Sequence, residues 1–127
     1  MKILTAVAAM PFLLAMAANA EAACTYPQAP QSMPNGATAT KEEMLTAQTS
    51  VKEYVKAVQE TYLTCLDQEK ASAVAALDST DPEYAQKKTA LEAITAKKHN
   101  SALDELEAFV ARWNAEKKAF TDKNSGK

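Results

Sequence analysis

Apolar residues recur at steps of three and four over two long stretches of this chain, and that spacing predicts two amphipathic helices. In the first stretch Val51, Val55, Val58, Tyr62, Leu66, Ala73 and Leu77 share a face, and Met44, Val51, Val58 and Cys65 fall at successive sevens. Lys52, Glu53, Lys56, Glu60, Asp67 and Lys70 fill the other side. Thr40-Lys41-Glu42-Glu43 marks the start as a capping box, with Thr40 at the N-cap and Glu43 reaching back to its amide. No Gly or Pro then appears until Asp78-Ser79-Thr80-Asp81-Pro82, so the helix is expected to run to about Leu77. Thr80 or Asp81 caps a second helix, Pro82 suits its first turn, and Glu83 favours its positive end. That helix is expected from Pro82 to about Phe120, with an apolar stripe of Tyr84, Leu91, Ile94, Ala102, Leu106, Phe109, Trp113 and Phe120, widened by Leu103 and Val110.

Two helices of similar length joined by a short turn make an all-α fold, a long antiparallel hairpin over residues 40–120. Each arm spans nearly 60 Å at about 1.5 Å per residue, so an elongated molecule is expected. Alanines such as Ala47, Ala57, Ala73, Ala76, Ala93 and Ala102 permit close approach of the arms. The alternative breaks an arm at the weakly amphipathic run 71–76 and folds into a compact bundle of three or four helices. Residues 121–127 read as a disordered tail.

The segment ahead of the hairpin has a different character. Pro27, Pro30 and Pro34 lack amide donors and fix their own φ, which rules out a helix there. Residues 21–39 therefore read as an extended, polyproline-like strap with a turn at Asn35-Gly36. Further upstream, Lys2, an apolar run from Ile3 to Ala17 and the small-x-small triplet Ala18-Asn19-Ala20 read as a signal peptide over residues 1–20. The apolar run is shorter than the roughly 20 residues a membrane span needs, and Pro11 interrupts it. Cleavage after Ala22 or Ala23 is the neighbouring choice, and Glu21 argues against a lipidated Cys24. A periplasmic or secreted location is expected, with no stable membrane span after cleavage.

Export changes the meaning of the two cysteines. In an oxidising compartment Cys24 and Cys65 are expected to form a disulfide, within the chain or, as the alternative, between chains. The geometry allows the first: Thr40 to Cys65 is about 37 Å of helix, and the strap covers about 50 Å if polyproline-like, enough to fold back along the helix. Tyr26 and Met33 would then cover apolar helix surface. The formal charge of −2 becomes −3 once Lys2 is removed, and this mild acidity argues against a nucleic-acid partner.

No residue constellation advertises chemistry. His99, the single histidine, stands between lysines and an asparagine in Lys97-Lys98-His99-Asn100, a poor metal site that reads as a solvated helix position. No Cys-x-x-Cys-His, Gly-x-Ser-x-Gly or phosphate-cradling loop is present, and Gly36 and Gly126 are the only glycines. The carboxylates interleave with lysines at helix-neighbour spacing, as on a solvated face. No catalytic residue, cofactor or metal is therefore expected. Phe109, Trp113 and Phe120 read as core, with a docking face on a thin hairpin as the alternative.

The pattern Cys24-x-x-Pro27-x-x-Pro30, then Pro34-x-Gly36-Ala37-Thr38-Ala39-Thr40 and Glu43-Met44-x-x-Ala47-Gln48-x-x-Val51-Lys52-x-Tyr54, resembles small secreted proteins of Gram-negative bacteria with no assigned activity. The resemblance extends to Tyr62-Leu63-x-Cys65-Leu66 and leaves the second helix aside. It implies the strap, the first helix and the paired cysteines, and transfers no activity. The expected function is that of a non-enzymatic helical protein that contacts an envelope protein or self-associates as a homo-oligomer. A periplasmic chaperone or stress adaptor is the alternative, and a small-ligand carrier stands behind it.

Overall fold

The capping box at Thr40 opens the helical part of the chain. In a computed structural model that describes residues 23–126, the Glu43 amide donates to Thr40 Oγ1 at 3.2 Å and the Thr40 amide donates to Glu43 Oε2 at 2.7 Å. The Thr40 amide bond to that carboxylate stabilises its ionised form and is the main cause that holds Glu43 below its ordinary pKa. The leader expected at residues 1–20, positions 21–22 of the strap and Lys127 lie outside the described residues.

From the cap the chain runs through α1 (Lys41–Lys56), a π-helical segment (Ala57–Tyr62) and α2 (Leu63–Ala75) as one continuous arm. The return arm is α3 (Tyr84–Ser125), 42 residues or about 63 Å. Contacts run in reverse order along it: Lys98 meets Glu69, Phe109 meets Tyr54, and Lys123 reaches Ala39. The fold is thus an all-α antiparallel hairpin, and no compact bundle forms at 71–76.

Three boundaries differ from the sequence expectation. The first arm ends at Ala75 rather than near Leu77. The second begins at Tyr84 rather than Pro82, because Asp81 organises a turn first. Its carboxylate accepts from the Glu83 amide at 2.8 Å and from Lys87 Nζ at 2.6 Å, while its carbonyl accepts from the Tyr84 amide. The segment 121–127, expected to be disordered, is helical through Ser125. The reason is tertiary: Lys123 Nζ donates to the Ala39 carbonyl at 2.9 Å, so the strap end pins the last turns. Asn124 and Ser125 add side-chain bonds to the carbonyls of Phe120 and Thr121.

Met44, Val51, Tyr54 and Val58 from the first arm meet Ala102, Leu106, Phe109 and Trp113 from α3 in the main core. Ala39 closes it, and Tyr26, Ala29 and Met33 of the strap lie against it. Leu66, 2% exposed, is buried beyond this cluster toward the turn.

The π-helical segment sets the phase of the arm. A straight heptad from Met44 through Val51 and Val58 would place Cys65 in the seam. The π segment holds one residue more than an α-helix would, marked by the Leu63 amide bonding the Val58 carbonyl. The extra residue turns everything after it by about 100°. Leu66 enters the seam in place of Cys65, and the cysteine rotates to the flank where the strap lies.

The strap turn fits α3 at a single glycine. Gly36 adopts no left-handed conformation, so its need is for space and not for backbone freedom. A Cβ there would overlap the Glu116 carbonyl oxygen and stand 2.9 Å from the Phe120 nitrogen. Its amide also donates to Glu116 Oε2 at 2.7 Å. Gly36→Ala is expected to lift the turn off α3 and cost about 1–3 kcal/mol, read as a shift of the urea midpoint. An unchanged midpoint would show that the turn contributes nothing to stability.

Candidate functional site

A helical seam has two flanks, and the strap covers only one of them. On the covered flank the disulfide joins Cys24 to Cys65 across 5.8 Å between Cα atoms, at a sequence separation of 41. Two turns along, the Tyr26 ring inserts edge-on between Tyr54 and Tyr62, at centroid separations of 6.4 and 5.1 Å. The Tyr26 and Tyr54 hydroxyls share a hydrogen bond of 2.8 Å, and Tyr54 in turn meets Phe109 edge-on at 4.8 Å. Burial, followed by the bond to Tyr54, pushes the Tyr26 hydroxyl pKa well up, so Tyr26 stays neutral and serves as an anchor.

Glu69 ties the beginning of the strap to both arms. Its carboxylate accepts from Lys98 Nζ at 2.7 Å and from the Cys24 amide at 3.5 Å. The Lys98 bond, and to a lesser degree the Cys24 amide, hold Glu69 below the ordinary carboxylate range, while Glu69 raises Lys98 above the ordinary lysine range. The clamp's contribution is therefore fully present at neutral pH. It is lost as pH falls through the depressed Glu69 value and, at the other end, as pH rises through the raised Lys98 value. Both side chains are more than a third exposed, so the contribution is small. Melting curves at pH 7 and pH 3 are expected to differ less for Glu69→Gln than for the parent; an identical acid response would remove the clamp from the account.

The uncovered flank carries an open trough between α1 and α3, with no strap residue along it. One stretch of about 420 Å³ is floored by Val51, Val55, Val110 and Trp113. It continues past Gln48 and Lys117 into a second stretch of about 250 Å³ bordered by Met44, Leu45 and Phe120. Leu45 is 54% exposed beside it, and Leu103, 43% exposed, continues the apolar band on the same flank of α3. No protein family, curated protein or solved structure matches the chain. The site has to be read from its own geometry.

The residues singled out from sequence divide accordingly. Cys24 and Cys65 come together, within one chain. Phe109 and Trp113, which could have formed a docking face, are buried in the core because the arms close over them, and Phe120 is half-buried beside them. His99 is not a solvated position. It is half-buried in the seam, with its Nε2 shielded from solvent, without a hydrogen bond and 3.3 Å from Asp67 Oδ1. Among the described residues no group of three or more His, Cys, Asp or Glu side chains converges. Leu45 lies off the apolar stripe and was missed; its place next to Met44, one step out of the stripe's spacing, was the available signal.

Proposed function

We propose that the protein is an exported, non-enzymatic helical binding module of the bacterial envelope that acts by contacting another protein. The observation that carries this reading is the trough on the uncovered flank, where apolar surface remains open beside a hairpin already closed by its strap. The described hollows are open troughs and not enclosed cavities, which favours a protein surface over a small-molecule pocket. An intramolecular disulfide of this kind fits an oxidising compartment such as the periplasm. No helix among the described residues is long and apolar enough to cross a membrane. The proline-strap resemblance to small secreted Gram-negative proteins points the same way.

The test places a photoreactive residue at Gln48 in the trough, or at Gln28 on the strap flank, and irradiates intact cells. An adduct to a distinct envelope protein at either position is the expected result. A strict monomer in solution that yields no adduct at either position would sink the proposal. Suppression of client aggregation at stoichiometric amounts, without a defined partner, would favour the chaperone alternative.

A further inference from the structure

We infer that the trough on the uncovered flank receives an acidic amphipathic helix of a partner protein. The inference rests on the reading of the chain as a binding module and assigns the partner's chemistry. Its first support is charge. Lys41, Lys52, Lys56 and Lys117 border the two stretches of the trough, and Glu60 is the single acid among its lining residues. Glu60 is itself 3.8 Å from Lys56 and so partly neutralised. This cationic rim stands on a chain whose formal charge is −2, so it is a local concentration and not a property of the whole surface.

The second support is shape. Between Lys41 and Gln59 the first-arm wall of the trough, α1 and the start of the π-helical segment, is about 27 Å long at about 1.5 Å per residue, the length of a helix of about 18 residues. A helix lying there would set apolar side chains at i, i+3, i+4 and i+7 on Leu45, Val55 and Val110, over a floor formed by the buried Val51 and Trp113. Glutamates flanking that stripe would meet lysines on both walls, Lys52 and Lys56 from α1 and Lys117 from α3. Lys117 is already held over the trough, its Nζ 6.0 Å from the Trp113 ring centroid. The docked helix would complete a three-helix cross-section, on the side that the strap leaves open.

The probes are two 18-residue helical peptides with the same leucine stripe, one carrying glutamate and one lysine at the flanking positions. Trp113 is the single tryptophan of the chain and lines both stretches, so its emission reports occupancy directly. The full mature, oxidised protein is expected to bind the glutamate peptide saturably and the lysine peptide at least tenfold more weakly. Lys52→Glu combined with Lys117→Glu, both at exposed positions, should reverse that preference while leaving the melting temperature in place. Equal affinity for the two peptides, or no saturable binding, overturns the inference. So does a crosslink at Gln48 between two copies of this chain, which would assign the trough to self-association. Adducts at Gln28 without peptide binding refute the docked helix yet leave the binding-module reading standing; absence of both removes the two together.

Discussion

Replacing Cys24 and Cys65 by serine is expected to lower the stability of the protein by about 4 kcal/mol, the value the chain-entropy account gives for a loop of this length. Total stabilities of single domains lie between about 5 and 15 kcal/mol, so the loss is a large share of what holds this one. The effect should come mainly through the unfolded chain, because the folded strap keeps its other anchors. Tyr26 still stands between Tyr54 and Tyr62, and Gly36 still seats on α3. Urea titration should therefore show an earlier midpoint with a nearly unchanged helical signal before the transition. A loss below about 1 kcal/mol would mean that the reduced unfolded chain already keeps the strap near the first arm.

Trp113→Ala is expected to cost about 3–5 kcal/mol, the range for emptying a buried aromatic site. Its side chain is fixed between both arms, where Met44, Val51 and Leu106 belong to the same cluster, and a hairpin this thin has no second layer to collapse into the void. Phe120→Ala should cost less, since Phe120 is only half-buried. Urea or thermal unfolding checks both the size and the order. If Trp113→Ala left stability within about 1 kcal/mol of the parent, the aromatic group would have to be a docking face after all.

Much of the fold could be read from local patterns. The Thr40-Glu43 box, the three-and-four spacing and the break around Pro82 act within one or two turns, so neighbouring residues suffice to place them. The cysteine pair was legible because helix rise and strap length allow closure within the chain, and the structure decides for that closure over a bridge between chains. The boundary near residue 125 was not legible, because it depends on a partner far away: Lys123 is engaged by Ala39, a strap residue 84 positions earlier. The start near residue 84 is a local matter, a turn that Asp81 forms with Glu83 and Lys87 and that competes with a cap at Asp81 itself.

The helix phase and the site show the same division more sharply. A strict heptad put Cys65 in the seam, and one inserted residue in the π segment gave that place to Leu66. The three-and-four spacing had Leu66 on the apolar face already, against the heptad, but it does not show the insertion itself, whose gain appears only when Leu66 is buried and Cys65 meets Cys24. The sequence alone determined two amphipathic helices, a proline strap unable to join them as a helix, and a pair of cysteines within reach. Only the tertiary structure decided which flank the strap covers, and hence which one stays open with lysines along its rim. That choice is made by non-local contacts — the disulfide, the Tyr26 anchor and the seat of Gly36 on α3 — whose energies do not exist until the strap has folded back along the hairpin.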